Sequence, residues 1–517
     1  MEKERETIGT VISTLKGPSP SNVDFVVTKG IVHRGQFVEI DYSEGKLIAL
    51  VNDVIKTNRY FERADAVKEF EASGNSLSEN FPSSEWEFMM ASTRPMGVYS
   101  LDGMIKRSTY PPSPGSSVRV ANNESLKKFL GLKDDGLMMG TVEYHGLDVK
   151  LSMDRLLKKH IAILAMSGAG KSVAVKSMIE ELLERKKEQG RVAILVMDVH
   201  GEYTNFSEPV KQADKEKFRD YSHKTKLVKA RDIRIGVPRL SVSLISSIVS
   251  GLSVAQRREL EKIMNRLRKE MKSGAGSFDL NDVKSAIMSD ADIKPNTATA
   301  LVSWLDTLSE LNLFSKADFP SMHDLTKPGQ LTVIDMSELI DLRKKQIILA
   351  YYGRKLFDER RALKVPPFLL VVEEAHQFAP EGASSEHAIS KPIIETIARE
   401  GRKFGASLCL ISQRPINLST TALSQCNTHL ILRVTNPYDL KHIGESSEGL
   451  DYKSQEMITS LKVGEGLLVG EAVNYPVFFK IRKNYSQDSK HEITLEEAAR
   501  RFEEASDVKK EEAESFL

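Results

Sequence analysis

The chain has 517 residues, more than one ordinary domain holds and enough for about three or four. Lys plus Arg number 73 and Asp plus Glu 72, which excludes a globally basic nucleic-acid or membrane-surface protein but leaves room for a local basic channel. Two cysteines, Cys409 and Cys426, exclude a disulfide framework and lack metal-ligand spacing. No apolar run reaches membrane-spanning length, and the charged start MEKERETIG has no signal-peptide core, so a cytoplasmic, reducing setting with no membrane partner is expected.

In chain order, residues 8–55 carry four runs rich in Val and Ile: IGTVIS, VDFVVT, QFVEID and KLIALVNDVI. Turn material such as KGPSPSN and YSEGK separates them, which predicts a small β-barrel. SGNSLSEN and PPSPGSS read as loop and linker, and GTVEYHG, ending near Gly146, as a further strand. This first part carries no catalytic chemistry and reads as an interaction or oligomerisation module.

The stretch Ile161–Ser172, IAILAMSGAGKS, changes that. An apolar run stops at a small-residue loop, then come Lys171, Ser172 and a helical pattern with Val175, Met178, Ile179 and Leu182 on one face. This order suits a triphosphate, because backbone N–H groups can turn toward phosphate oxygens and the helix start adds partial positive charge. The candidate nucleotide-binding residues are Ser167, Gly168, Ala169, Gly170, Lys171, Ser172 and Val173, with Lys171 on the terminal phosphates and the Ser172 hydroxyl on Mg²⁺. The pattern G-x-x-x-x-G-K-[ST] opens with Gly where this chain has Ala165, which tolerates positive φ poorly, so the loop's shape is open to question.

The apolar strand VAILVMD follows and ends in DVHGEY, over the nucleotide crevice. Asp198 and Glu202 are candidates to hold Mg²⁺ or its waters; His200 has no partner ligands for a metal site of its own. A helical insertion comes next. Ser253 and Gln256 form a capping box for a helix to Met271 with Leu260, Ile263, Met264 and Leu267 in its stripe; residues 280–288 give a second, and Asn296 is the candidate cap of a third. These stripes read as bundle core rather than ligand site. The core resumes with LTVIDMS, a long helix to about Leu363, PPFLLVVEEAH, the helix ETIAREGRKFG, ASLCLISQRP, THLILRVTN and the pair GEGLLVG and PVFFKIR, an α/β pattern with a parallel sheet. From Thr494 a last helix, boxed by Thr494 and Glu497, carries Leu495, Ala499 and Phe502 on one face; it is either a solvated end or a strap for a neighbouring subunit. The expected division is 1–110 barrel and linker, 111–208 first part of the core, 209–319 helical insertion, 320–482 second part of the core and 483–517 bracing helix.

Glu373 and Glu374 follow four apolar residues. Hydrolysing a phosphoanhydride takes one carboxylate near Mg²⁺ and another to orient and deprotonate water, roles assigned to Glu373, directly or through a water, and to Glu374 as general base. Gln413, at the next strand end, is placed to sense the γ-phosphate. Arg399 and Arg402 are candidates to complete a neighbouring subunit's site, with Arg399 ahead; a surface salt bridge is the alternative for each. Lys391 is the basic residue of the loop PEGASSEHAISKPI and a candidate DNA contact, or simply a solvated lysine.

LAMSGAGKS, DVHGEY, VVEEAH, AREGRKFG and ISQRP, in that order, resemble the archaeal HerA family of hexameric DNA-translocating ATPases. The resemblance implies a RecA-like core of the FtsK–HerA branch with an N-terminal barrel, helical insertion and C-terminal helix. It implies ATP and Mg²⁺ as cofactors, a homohexamer around double-stranded DNA, and a NurA-type nuclease as partner in DNA end resection for recombinational repair. Alternatives are a related conjugation or DNA-packaging motor and a nucleotide-gated scaffold without motor activity.

Overall fold

The computed structural model describes residues 6–13, 17–58, 64–72, 87–100, 102–249, 251–384, 387–447, 449–487, 495–497, 499–500 and 502–504. It divides into two compact units, one of residues 1–156, 428–436 and 447–482, the other of 157–427, 437–446 and 483–517.

In the first unit, strands Thr7–Val11, Val23–Val27, Phe37–Tyr42, Gly45–Asn58, Glu87–Ser100 and Ser117–Val120 pair antiparallel, and the pairing of Val23–Val27 with Glu87–Ser100 closes a six-stranded barrel. Alternation puts Phe25, Val38, Ile40, Leu47, Val51, Val98 and Val118 inside it. Four of these strands match the Val/Ile runs. The sequence pattern does not predict Glu87–Ser100, and SGNSLSEN lies outside the described residues. The same unit holds an antiparallel set, Thr428–Ile431, Glu465–Gly470, Val477–Ile481, Leu137–Val142 and Asp148–Leu151.

The second unit is built on six parallel strands in the order Thr225–Lys229, Leu331–Asp335, Ala193–Asp198, Phe368–Val372, Ala406–Ser412 and Ile161–Leu164. The inner strands are buried along their length, as parallel strands covered on both faces must be. Thr225–Lys229 is a strand the sequence reading had placed within the helical insertion. Helices Val242–Ile248, Val254–Glu270, Leu280–Met288 and Pro295–Glu310 form that insertion, and the Ser253–Gln256 capping box is present. Asn296 is not a cap: the third helix starts at Pro295 with Lys294 at its cap position and no side-chain capping bond, since proline at the first turn removes one donor that would need capping.

The strap that ends the second unit runs along the phosphate-loop helix, Lys171–Glu184. Glu180, buried, accepts from Tyr485 N (3.0 Å), Ser486 N (2.8 Å) and the Ser486 hydroxyl (2.7 Å), while Asn484 donates to Val173 O (2.9 Å). Beyond it, residues 495–497, 499–500 and 502–504 are helical, with Leu495 and Phe502 exposed; Thr494, the proposed cap, lies outside the described residues. Cys409 and Cys426 are buried free thiols. Among the described residues no helix is long and apolar enough to cross a membrane.

Candidate active site

Parallel register brings five strand ends to one edge. Leu164 pairs with Ser412, Met197 with Val372 and Asp198 with Asp335, so the loops after these strands emerge together. Around them lies a cavity of about 400 Å³ lined by Ser167, Gly168, Gly170, Lys171, Ser172, Val173, His200, Glu202, Glu373, Glu374 and Gln413. Ala169 is buried under the loop instead. Gly168 (φ 74°) and Gly170 (φ 101°) take the left-handed turns the loop needs. Gly170 caps the helix without a side-chain bond, which leaves the first-turn N–H groups free for an anion. Ala165 is not among the positive-φ residues; it is buried, and its N–H donates to Ser412 O (3.2 Å).

The acids divide by role. Asp198, expected near magnesium, faces inward and is not part of the cavity lining: Oδ1 accepts from Gly201 N (2.8 Å) and Glu202 N (3.0 Å), and Oδ2 from Tyr203 N (2.9 Å). It shapes the DVHGEY turn. Burial pushes its carboxyl up to about 6 against the pull of those three donors, with the nearby Asp335 adding to the rise. The turn it braces presents Glu202, whose carboxylate accepts from the Ser172 hydroxyl. Glu373 Oε2 accepts from Val199 N (2.7 Å) and His200 N (3.1 Å). Burial, then Asp198 and Glu202, push its carboxyl well above the usual range.

Glu374 sits at φ 47°, ψ 47°, a left-handed conformation rare for a non-glycine residue. Burial raises its carboxyl, opposed chiefly by Lys171 and then His200. His376 Nδ1 lies 3.3 Å from Glu374 Oε2 but bonds the Ser412 hydroxyl at 3.1 Å. Burial, then Arg414 and Lys171, push that imidazole down to about 4, so it is neutral at pH 7 and forms no ion pair. Oε2 is therefore buried with no hydrogen-bond partner among the described residues. Across the cavity, the Ser167 hydroxyl donates to Gln413 Oε1, linking the phosphate loop to the neighbouring strand end.

Three expected residues lie elsewhere. Arg399, in the last turn of the helix Lys391–Glu400, and Arg402, in the short turn Gly401–Phe404 that follows, are exposed and are not in the cavity lining. Arg399 stands 3.7 Å from Glu395 one turn back; Arg402 has no partner among the described residues. Lys391 does not present a free ammonium: its Nζ donates to Pro380 O (2.9 Å) and Ala383 O (3.4 Å), which pins its own loop.

Ser172, Glu202 and Glu373 fit a hard divalent cation. Their donors are all oxygen, and a cation among them would relieve the repulsion from Asp198 and Glu202 that adds to burial in raising Glu373. Among the described residues there is no cluster of three His, Cys, Asp or Glu close enough to hold a metal unaided, so phosphate and water oxygens would complete the shell.

Phosphate loop, hydroxyl beside a carboxylate and buried acid at the next strand end define the class: a P-loop ATPase. Residues 137–356 match the family described as "Helicase HerA, central domain". Over that span, less than half of its length, the chain is similar to the HerA family. A probable helicase of Methanocaldococcus jannaschii is 28% identical over 87% of this chain and 86% of its own length. The DNA double-strand break repair helicase HerA of Saccharolobus solfataricus is 25% identical over 91% of this chain and 92% of its own. Among solved structures, VirB4 of Thermoanaerobacter pseudethanolicus covers 68% of this chain and 97% of its own at 17% identity, with a TM-score of 0.48.

Proposed function

We propose that this chain is an ATP-driven translocase or helicase on double-stranded DNA, working as a homohexamer with a NurA-type nuclease in end resection for recombinational repair. The observation that carries the motor reading is Glu374, a buried carboxylate with one oxygen unpartnered, held by a left-handed backbone across from Lys171. That oxygen can take one proton of a water aligned behind the γ-phosphate. Lys171 and the first-turn N–H groups meet the charge that develops on the phosphoryl oxygens. Ser172, Glu202 and Glu373 would hold Mg²⁺, which would supply a positive charge to offset part of the same charge. Loss of the γ-phosphate changes what Ser167 and Gln413 face, which gives the strand Ala406–Ser412 a signal to pass on.

The ring is supported by a cavity whose described lining residues include no arginine, together with an exposed Arg402 whose guanidinium has no partner among the described residues. Several relatives are named as DNA double-strand break repair helicases, which supports DNA and repair; the duplex substrate and the nuclease partner follow from the family resemblance. The test is ATP turnover of the full chain with and without duplex DNA, alongside the mass of the assembly. Duplex-stimulated turnover that Lys171→Ala abolishes is expected; a monomer indifferent to DNA overturns the reading. Turnover in Glu374→Gln equal to that of the unsubstituted chain would leave a nucleotide-gated scaffold instead.

A further inference from the structure

His160 stands one residue before the phosphate-loop strand, and nothing in its local sequence marks it. It is buried, yet carries a polar ring and takes φ 62°, outside the usual range for a non-glycine residue. Both ring nitrogens are used. Nδ1 accepts from Leu408 N (3.0 Å), on the strand that leads to Gln413. Nε2–H therefore donates, and its acceptor is Ala398 O at 2.9 Å. Ala398 directly precedes Arg399, and its carbonyl belongs to the last turn of the helix Lys391–Glu400, where the helix itself supplies no partner. Burial pushes the imidazole down to about 4, which keeps it in this neutral form.

The other side of the ring is equally committed. Cε1 lies 3.2 Å from where a Cβ on Gly401 would stand, and that Cβ would also come within 2.3 Å of Ala406 O. The chain between Arg399 and Arg402 thus has no side chain at its midpoint and packs directly onto the imidazole and the neighbouring strand. One side chain thus bridges the start of the phosphate-loop strand and the backbone that bears both arginines.

We propose that His160 is a positioning residue for Arg399 and Arg402: its imidazole caps their helix and ties it to the phosphate-loop strand, so that the guanidinium groups are presented at a set place to a second copy of this chain. This rests on the trans role of the arginines in the proposed function. A purely structural role would weaken a subunit's own nucleotide site along with everything else. A positioning role leaves that site intact and harms only the neighbour's.

The test is His160→Asn, which keeps a residue tolerant of the left-handed backbone but is too short to span from Leu408 N to Ala398 O. Affinity for a non-hydrolysable ATP analogue should stay within about twofold, while turnover falls about tenfold or more, a part of the roughly 10³-fold or more that outright loss of a trans arginine costs. Gly401→Ala, which crowds the same contact from the other side, should do the same. Mixing His160→Asn subunits with Lys171→Ala subunits should restore turnover, because the latter have dead sites but correctly placed arginines. Analogue affinity falling in parallel with turnover, or no rescue on mixing, overturns the proposal. If Arg399→Ala and Arg402→Ala both leave turnover unchanged, the trans-arginine reading itself fails, whatever His160→Asn does.

Discussion

Ala165 stands where the phosphate-loop pattern has glycine, and its backbone shows why the exchange is tolerated. The position does not use positive φ, and its methyl is buried. Ala165→Gly should therefore cost about 1 kcal/mol of stability through added freedom in the unfolded chain. Turnover should stay within about twofold; a larger change in an ATPase assay would show that the loop depends on the methyl for its shape. Asp198 is the other informative residue. Asp198→Ala leaves three N–H donors without their acceptor, a loss of about 2–3 kcal/mol by urea denaturation. The loss should depend on pH with a definite sign. The folded-state value of about 6 lies above the ordinary 3.8, so between these the unfolded chain has released a proton that the folded chain keeps. This term's stability is full below about pH 4 and is lost as pH rises toward 6. The gap between the unsubstituted chain and Asp198→Ala should shrink from pH 4.5 to pH 6.5; a widening gap would mean that the three donors outweigh burial.

Elements were legible in the sequence where their signal is local. The phosphate loop, the acid pair and the capping box at Ser253 are each written within a few residues. Glu87–Ser100 was missed because Pro95 and a run of polar residues mask its alternation; its place comes from pairing with two partner strands. Thr225–Lys229, TKLVK, is too short and polar to declare itself at a sheet edge. The inward turn of Asp198 and the capping by His160 depend on contacts far along the chain, which no local pattern encodes. The strap Lys483–Gln487 is of the same kind. Glu180→Ala would leave two N–H groups and a hydroxyl without an acceptor, costing about 3 kcal/mol. Since Asn484 also holds Val173 O in the first turn of the phosphate-loop helix, truncation before Lys483 should weaken ATP binding as well as stability. Truncation after Gln487 should leave ATP binding unchanged. Equal effects from the two truncations, read by calorimetric ATP titration, would remove the strap from the nucleotide site.

At the scale of the whole molecule, the proposed site on one chain combines a phosphate loop, an oxygen set that fits a metal and Glu374 as the proposed base, and among its described lining residues Lys171 is the one Lys or Arg; the other titratable groups there are His200 and three glutamates. Transition-state charge in such reactions is commonly met by a guanidinium from outside, worth on the order of 10³ or more in turnover. The Arg402 guanidinium is exposed with no partner among the described residues, whereas Arg399 has Glu395 at 3.7 Å, so we propose Arg402 ahead of Arg399 as the group supplied in trans. Arg402→Ala should lower turnover on the order of 10³-fold with ATP affinity unchanged, and Arg399→Ala less. Assembly then enters the kinetics directly. Turnover per chain should fall on dilution below the concentration at which the ring forms, and its floor should equal that of Arg402→Ala at high concentration, because both conditions remove the same group from the same site. Turnover per chain that is independent of concentration through the dissociation of the assembly, followed by mass measurement at each dilution, would show that each chain completes its own site.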